Sequence, residues 1–319
     1  MRDREKRVIR PPRRYTYTDL IAFTLTTTHE ITADEPRKYS EAINSDKAEE
    51  WIKAIDEEMM SLKKNHTWNL IERLANKRVV GCKWIYRIKE GIPSVEPQRY
   101  KDKLVVKGFT QNEGVDFTEV FSPVVRHTFP RILFSLVVVQ DMYLEQMDVK
   151  IVFLHCEIDE MIVMSQPEEY EDLENDDHVC HLRKSIYGLK QSPRLWYLRF
   201  DKFMSEYGFQ RSNFDCCVYF KIIEGGDKIY LLLYVDDMLI ACKEMEFINY
   251  LKQQLSNTFK MKDLGVANKI LGIQLMRDIK NGILSLTQHK YIRKVLKKFN
   301  KDKCKPVQAP LPSYFKLSY

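Results

Sequence analysis

The sequence predicts an α+β fold in which an antiparallel sheet packs on helices, and three features of the chain support it. Apolar residues recur at helical spacing in some segments, while other segments are short runs rich in β-branched and aromatic residues. The two kinds of segment alternate along the chain. The dipeptide Asn281-Gly282 also predicts a tight two-residue hairpin turn. Helices mixed with hairpin-joined strands are typical of the α+β class.

The helices are predicted from the spacing of apolar residues and from residues that favour helix ends. After Ser45, one helix face carries the apolar side chains of Trp51, Ile55, Met59 and Leu62, and the opposite face carries charged side chains. A later helix opens at Ser192-Pro193, because proline is tolerated in the first turn, and it stops at Gly208. Further helices are expected at about 130–140, 244–259 and 289–299.

The strands are predicted where short apolar or alternating runs are bounded by turn residues. They are expected at 79–88, 100–108, 143–149, 217–223, 228–242 and in a hairpin at 269–288. In the second strand, Lys101, Lys103 and Lys107 alternate with apolar residues, so a period of two places the lysines on one face. The alternative for this strand is an ordinary half-buried edge with its lysines in water.

Composition and cysteine usage indicate a protein of the cell interior. The chain is 44% hydrophobic and 30% charged, as soluble globular proteins are, and its net charge of +6 is only a mild bias toward polyanions. Its 7 cysteines include no CxxC pair, so neither a disulfide framework nor a zinc ribbon is indicated. No signal peptide or membrane-spanning run is found. We expect a location in a cytoplasmic particle or the nucleus, without secretion or membrane attachment.

Residues 1–44 differ from the rest of the chain. They are basic and then polar, and they carry a threonine-rich stretch, so we expect a flexible connector rather than a domain. The same charge suits a nucleic-acid-binding arm or a nuclear signal, and these alternatives stay open. The folded domain is expected at residues 45–319.

Two acidic positions carry the predicted chemistry. Asp236 and Asp237 interrupt a strongly apolar stretch at the predicted bend of a β-hairpin, and Asp148 ends an earlier apolar strand. Adjacent carboxylates repel one another and lose solvation when half buried, so we expect a cation to neutralise them. Oxygen ligands select Mg²⁺ or Mn²⁺ over zinc. If the strands are neighbours, the three carboxylates converge as two-metal phosphoryl transfer requires.

Each acidic position also has a purely structural interpretation. Asp148 alone fits a strand-end residue or a helix cap, and the Asp236-Asp237 pair alone fits a hairpin turn with two solvated acids. In the two-metal hypothesis, one ion activates a 3′-hydroxyl and the other holds a triphosphate and its leaving group. Convergence of the three carboxylates in space would favour that hypothesis.

Several motifs in a fixed order resemble the reverse transcriptases of copia-type retrotransposons. The most characteristic is the box Tyr234-Val235-Asp236-Asp237 with its apolar flanks. The others are 101–111 (KDKLVVKGFTQ), 121–126 (FSPVVR), 146–150 (QMDVK), 185–197 (SIYGLKQSPRLWY), 261–265 (MKDLG) and 271–273 (LGI). The resemblance extends from about residue 45 to the C-terminus. It implies an RNA-directed DNA polymerase, a nucleotidyltransferase.

The resemblance also implies a right-hand polymerase fold of fingers, palm and thumb. The fingers correspond to about 45–135 and 157–190, the palm to about 136–156 and 191–243, and a thumb-like part to about 244–319. Its partners would be a primed RNA or DNA template and deoxynucleoside triphosphates. The family polyprotein also carries integrase and ribonuclease H domains, which these 319 residues do not contain.

Roles for individual residues follow from the resemblance. The catalytic and metal-binding residues would be Asp148, Asp236 and Asp237, which hold two Mg²⁺ or Mn²⁺ ions. The nucleotide-binding residues would be Lys101, Lys103, Phe153, Tyr187, Gly188, Lys190 and Gln191, with the Phe153 ring under the incoming sugar, where it excludes a 2′-hydroxyl. The primer and template would be bound by Tyr234, Leu271, Gly272, Ile273, Lys290, Arg293 and Lys294. The basic final helix also fits a plain solvated amphipathic face.

The sequence departs from the family pattern at sensitive positions. Val152 replaces a small residue beneath the sugar, and Cys156 and Glu169 replace glycines. Pro130 lies in the first turn of a helix, where proline is tolerated, and Lys103 stands where arginine is usual. The alternative function is therefore a decayed, catalytically weak or inactive remnant that still binds nucleic acid.

Overall fold

The structure, a computed structural model, describes residues 35–89, 98–172 and 174–305. The chain divides into two compact units. The first unit comprises the described residues of Met1–Val124 and Ile151–Phe209, and the second comprises those of Val125–Lys150 and Gln210–Tyr319. Each unit mixes helices with mainly antiparallel strands, which confirms the predicted mixed class. None of the helices within the described ranges is long and apolar enough to cross a bilayer.

The helices and strands of the described residues include the predicted ones, in the predicted order, together with further short elements that were not predicted. The helices are α1 (Tyr39–Ile43), α2 (Ala48–Lys64), α3 (Thr128–Val139), α4 (Ser192–Glu206), α5 (Met245–Thr258) and α6 (His289–Lys298). The strands up to the box are β1 (Trp68–Glu72), β2 (Val79–Val80), β3 (Cys82–Lys89), β4 (Arg99–Val106), β5 (Tyr143–Val149), β6 (Val163–Met164), β7 (His178–Leu182), β8 (Gln210–Arg211), β9 (Val218–Ile222) and β10 (Lys228–Tyr234). After it come β11 (Asp237–Cys242), β12 (Met261–Val266), β13 (Lys269–Ile270), β14 (Ile273–Asp278) and β15 (Ile283–Thr287).

The core of the first unit forms between α2 and the β3–β4 hairpin. The predicted apolar face of α2 is buried, and Trp51 meets Tyr86 and Tyr100 edge to face, at ring centroid distances of 5.4 and 4.7 Å. A second sheet has the strand order β1-β7-β6-β2, in which β2 and β6 pair in parallel. The hairpin and this sheet position the first group of candidate residues.

The predicted connector, residues 1–44, extends too far, because residues from 35 onward pack on the fold. Residues 1–34 of it lie outside the described residues. Of the remainder, Tyr39–Ile43 is helical and Ala42 is fully buried. The Glu35 carboxylate accepts hydrogen bonds from the Arg87 guanidinium at 2.6 Å and the Ile88 amide at 2.9 Å. These contacts attach residues from 35 onward to the β3 strand.

The second unit is built on a sheet with the order β12-β5-β11-β10-β9-β8. The strand β5 lies between β11 and β12 and is buried along most of its length. Helix α5 packs on one side of it, where the Lys252 ammonium donates to the Glu145 carboxylate at 2.6 Å and to that of Asp263 at 2.7 Å. Because successive side chains alternate between the two faces of a strand, the side chain of Asp148 lies on the face opposite that of Glu145.

The predicted hairpin in 228–242 is confirmed, and its bend lies at the acidic box. Tyr234 pairs with Asp237, so β10 and β11 are joined by the two-residue turn Val235-Asp236. Val235 has a φ of 57°, a left-handed conformation that is strained for a β-branched residue.

The predicted two-residue turn at Asn281-Gly282 is wrong in its length. Asp278 pairs with Ile283, so the loop contains four residues. The Asp278 carboxylate accepts hydrogen bonds from the backbone and side-chain N–H groups of Asn281, at 3.2 and 2.7 Å. This local bonding widens the turn.

Candidate active site

Two of the three candidate aspartates are cross-strand partners. In the antiparallel pairing of β5 with β11, Asp148 lies directly opposite Asp237. Side chains at directly opposed positions share one face of a sheet, with Cβ atoms about 5 Å apart. Both side chains are half buried. The sheet therefore brings together two carboxylates that are far apart in the sequence.

Asp236 adjoins this pair from the turn. Its backbone carbonyl accepts a hydrogen bond from the Val149 amide at 3.0 Å, which ties the turn to the end of β5. The Tyr234 side chain is half buried before the turn. Burial, and then the charges of Asp236 and Asp237, raise the pKa of the Tyr234 hydroxyl.

The Asp237 carboxyl has an unusual electrostatic environment. Burial and then the charge of Asp236 raise its pKa to about 6. A hydrogen bond from Gln146 lowers the pKa, the charge of Asp148 raises it, and the charge of Lys269 lowers it. The acids oppose one another's ionisation. A cation that binds here would therefore offset their repulsion and release a bound proton.

The donor atoms suit magnesium, although the three carboxylates do not converge on one point. Among the described residues, the group whose ligand atoms lie within 4.8 Å of one another is Asp215, Cys216 and Cys217. The aspartates of the candidate site do not form such a group. Two ions about 3.5–4 Å apart need donors spread over both of them, so a more open arrangement still fits a two-metal site.

The Asp215, Cys216 and Cys217 group was not predicted, and its carboxylate has a structural role. One Asp215 oxygen accepts the Arg126 amide and the other accepts the Cys217 amide, both at 3.0 Å. Burial raises the pKa of the Cys217 thiol. Since a buried protonated thiol is a poor metal ligand, we interpret this group as a loop anchor.

Polar residues beside the aspartates were also not predicted. Gln146 is only 5% exposed, and its amide nitrogen donates to Asp237 Oδ1 at 3.3 Å. Lys262 of β12 lies opposite Asp148 in the strand register. Both lie within recognised motifs, QMDVK and MKDLG, but a motif does not reveal which residues pair across strands.

Three of the predicted nucleotide-binding residues form a contact chain in the first unit. The Lys103 ammonium lies 3.6 Å from the centroid of the Tyr187 ring. That ring meets the Phe153 ring edge to face, at a centroid distance of 4.8 Å. Lys101 lies two residues before Lys103 on β4, with its side chain exposed. The predicted lysine face of β4 therefore carries exposed ammonium groups, and that of Lys103 lies against the aromatic pair of Tyr187 and Phe153.

Two glycines allow the Tyr187 loop to approach β4. The Val106 amide donates to the Tyr187 carbonyl at 2.8 Å. A Cβ atom added to Gly188 would lie 2.0 Å from the Val106 carbonyl oxygen, and one added to Gly108 would lie 2.0 Å from the Gly188 carbonyl oxygen. Gly188 also has a φ of +96°. A larger residue at either position would separate the two backbones.

The next two predicted residues differ in accessibility. The Lys190 amide donates to Gln111 Oε1 at 2.9 Å, and its ammonium lies 4.8 Å from the Phe117 ring centroid. Gln191 is 2% exposed, accepts a hydrogen bond from Gln111, and donates to the Asp116 carbonyl at 2.9 Å. The Gln191 side chain is therefore buried and holds the loop through hydrogen bonds. A residue that contacts nucleotide is expected to be accessible instead.

The predicted primer-binding residues lie in the second unit. Leu271 and Gly272, with φ values of 51° and 74°, form a two-residue turn between β13 and β14, and Ile273 begins β14. Arg277 of β14 donates to the Val137 carbonyl at 3.0 Å, which attaches this sheet to α3. On α6 the predicted side chains are exposed: Lys290, Arg293 and Lys294.

The departures from the family pattern have unequal structural consequences. Cys156 has an extended backbone, φ −105° and ψ 132°, so the expected need for glycine freedom there is not supported. Glu169 has a φ of 67°, which does favour glycine. Val152 is 1% exposed. Pro130 lies in the first turn of α3, where it is tolerated as expected.

Comparison with known proteins identifies the family. A model of the family described as "Reverse transcriptase (RNA-dependent DNA polymerase)" matches residues 65–313. The chain is 46% identical over 284 residues to the retrovirus-related Pol polyprotein from transposon TNT 1-94 of Nicotiana tabacum, with 89% of this chain and 21% of that protein covered. It is 36% identical over 285 residues to the Pol polyprotein from transposon RE1 of Arabidopsis thaliana, with 89% and 19% covered. The chain thus spans about a fifth of the length of these relatives, and it belongs to the reverse transcriptase family of copia-type retrotransposon Pol polyproteins.

Proposed function

We propose that this chain copies a primed RNA or DNA template into DNA, joining nucleotides from deoxynucleoside triphosphates to a primer 3′-hydroxyl. The observation that carries the proposal is the pairing of Asp148 with Asp237 across β5 and β11, beside the turn that bears Asp236. Membership of the reverse transcriptase family supports it. The relatives are Pol polyproteins, so we also propose that the chain acts within a longer protein that carries integrase and ribonuclease H.

The three aspartates are proposed to hold two Mg²⁺ or Mn²⁺ ions. When bound, such ions activate the attacking hydroxyl and neutralise the triphosphate and leaving group. The chain's own contribution is to hold the carboxylates of Asp148 and Asp237 on one face of the sheet, with Asp236 in the adjoining β10–β11 turn, before substrate arrives. Such preorganised charge lowers the barrier because little rearrangement is needed during the reaction.

The first unit is proposed to bind the incoming nucleotide. Lys101 and Lys103 offer cations to the triphosphate, and the Phe153 ring offers a flat apolar surface to the sugar. The Lys103 contact with Tyr187 orders a long flexible side chain before binding, which reduces the entropy lost on binding. Glycine at position 188 keeps this loop against the lysine strand.

The second unit is proposed to contribute the palm and the primer-binding surface. The β5, β10 and β11 strands would form the palm centre, the Leu271-Gly272 turn would contact the primer, and α6 would contact the duplex backbone. Exposed Lys290, Arg293 and Lys294 support the last assignment. This scheme extends the proposal to a right-hand arrangement of fingers, palm and thumb.

Primer extension by the purified chain tests the proposed function. With a primed homopolymer template and Mg²⁺ or Mn²⁺, we expect extension by the wild type and a loss of about 100-fold or more in Asp236→Asn. Asp302→Asn is the matched control, because it removes the same charge from an exposed position outside the site. Equal extension by wild type and Asp236→Asn would refute the proposal.

A second candidate function is binding of primed template without incorporation. The observations that favour it are the left-handed backbone at Glu169 and the buried Val152, both at positions where the family pattern has a smaller residue. It predicts salt-dependent binding with no extension in either metal. Extension above the Asp236→Asn control would exclude this candidate.

A further inference from the structure

Gln146 is an amide buried among apolar neighbours on the acidic face of the sheet. It precedes Asp148 by two residues on β5, so the two side chains share a face. Its cross-strand partner on β11 is Leu239, which is fully buried. A buried amide without a hydrogen bond is destabilising, whereas an apolar residue would be accommodated here without that cost. The sheet itself therefore provides no reason for glutamine at this position.

The hydrogen bond of the Gln146 amide accounts for its presence. Nε2 donates to Oδ1 of Asp237 at 3.3 Å, diagonally across the strand pair that also aligns Asp148 with Asp237. A carboxylate held through one oxygen has a restricted orientation, and its second oxygen stays available to another ligand. A fixed orientation and a free second oxygen would affect function only if Asp237 must be oriented toward a ligand.

The neighbouring strand β12 leaves space beside Gln146. The register of β12 against β5 shifts between Asp263 and Gly265, and the shift places Gly265, which has no side chain, opposite Gln146. Gly265 has a φ of +69°, a conformation that favours glycine. The Asp263 carboxylate fixes this bulge, because Oδ1 accepts both the Gly265 amide at 2.8 Å and the Lys252 ammonium at 2.7 Å.

We propose that Gln146 is a positioning residue, which holds Oδ1 of Asp237 and leaves Oδ2 available to a divalent ion. The proposal rests on the proposed function and deepens it. It assigns to the glutamine of the QMDVK motif an indirect role, exerted through Asp237. Polar partners that orient a metal-binding side chain commonly change metal affinity about 10–100-fold when they are removed. A merely structural glutamine would change folding stability and leave metal affinity unaltered.

The test compares Gln146→Met, which keeps the side-chain length and removes the hydrogen bond, with Met147→Leu as control. Met147 is 1% exposed, neighbours Gln146, and points to the other face of β5. We expect Gln146→Met to weaken Mn²⁺ binding, followed by electron paramagnetic resonance, about tenfold. We expect the Mg²⁺ concentration for half-maximal primer extension to rise by a similar factor, and Met147→Leu to match the wild type in both measurements.

The Asp237→Asn background provides a second control. If Gln146 acts through Asp237, Gln146→Met should have no further effect on Mn²⁺ binding in that background. Wild-type metal dependence in Gln146→Met, absence of Mn²⁺ binding by the wild type, or equal effects in both backgrounds would overturn the inference. If the chain makes no DNA but Gln146→Met still weakens Mn²⁺ binding, the proposed function fails and the positioning role stands. If the chain extends the primer and Gln146→Met leaves the metal dependence unaltered, the proposed function stands and the positioning role fails.

Discussion

The ammonium of Lys103 lies 3.6 Å from the centroid of the Tyr187 ring, so a cation proposed to bind triphosphate rests on an aromatic face. The contact joins strand β4 to the loop that follows β7. Cation–π contacts contribute about 0.5–2 kcal/mol, depending on solvent exposure. This contact predicts that the ring of Tyr187 matters more than its hydroxyl.

We therefore expect Tyr187→Leu to raise the KM for deoxynucleoside triphosphates about fivefold, which corresponds to about 1 kcal/mol. Tyr187→Phe keeps the ring and should remain close to the wild type. Steady-state primer extension at varied nucleotide concentration measures both values. Equal KM values for the leucine and phenylalanine variants would show that the ring does not position Lys103.

Gly188 tests the close approach of the loop to β4. A Cβ atom there would lie 2.0 Å from the Val106 carbonyl oxygen, so Gly188→Ala should lower the free energy of unfolding by more than about 3 kcal/mol. Gly114→Ala is the matched control, because Gly114 also has a positive φ, +78°, but an added Cβ would meet no atom within 4 Å. We expect it to cost about 1 kcal/mol. Urea denaturation compares the two, and similar losses would contradict the steric argument.

The sequence predicts the position of each strand that carries an aspartate, for a physical reason. Strand β5 carries Asp148 as its penultimate residue, and Asp236-Asp237 interrupts the apolar stretch of β10 and β11, so pattern and turn chemistry both indicate where the acids lie. Their direct pairing is a matter of register, which depends on the packing of the whole sheet. The Gln146 contact with Asp237 depends on the same register and was not predicted.

Turn details and close approaches were harder to predict. The Leu271-Gly272 turn was not recognised, because leucine is rare in the left-handed conformation that it adopts there. The contact of Gly108 with Gly188 joins segments that are distant in the sequence, and each glycine alone resembles an ordinary loop residue. The helix Tyr39–Ile43 was assigned to a connector because a five-residue helix gives too little periodicity to detect.

Asp102 predicts a stability that depends on pH. The residue is 5% exposed, and among the residues that the structure describes neither of its carboxylate oxygens has a hydrogen-bond partner. Burial, and then the charge of Glu58, raise the pKa of Asp102 from 3.8 to about 8. A raised folded-state pKa means that the folded protein binds the proton more tightly than the unfolded chain. The stability associated with that proton is fully present below pH 3.8 and is lost as the pH rises toward about 8.

Asp102→Asn should remove this dependence. The free energy of unfolding of the variant, relative to wild type, should increase between about pH 4 and 8, by at most about 1.4 kcal/mol per pH unit. Urea denaturation at several pH values measures it. Asp46→Asn, which removes an exposed carboxylate, is the matched control. A constant difference for Asp102→Asn would show that Asp102 is ionised in the folded protein.

Val235 predicts a stability gain at the acidic turn. Its φ of 57° is unfavourable for a β-branched residue and is tolerated by asparagine. We expect Val235→Asn to raise the free energy of unfolding by about 1 kcal/mol. Val266→Asn is the control, because Val266 is 67% exposed on β12 and lies outside the left-handed region. It should give no gain, and a gain of equal size in denaturation experiments would rule out relief of backbone strain as the cause.

The basic side chains of α6 predict the salt dependence of nucleic-acid binding. If Lys290, Arg293 and Lys294 each contact a backbone phosphate, replacing all three with glutamine should reduce the slope of log K against log salt by about 2–3. Fluorescence anisotropy with a labelled primer–template, at several salt concentrations, measures the slope.

The matched control removes the same charge from exposed lysines of α2: Lys53, Lys63 and Lys64. Because long-range attraction depends on net charge whereas counterion release depends on contact, the control should change the slope by less than about 1. Equal slopes for the two triple variants would show that α6 attracts nucleic acid only through its net charge.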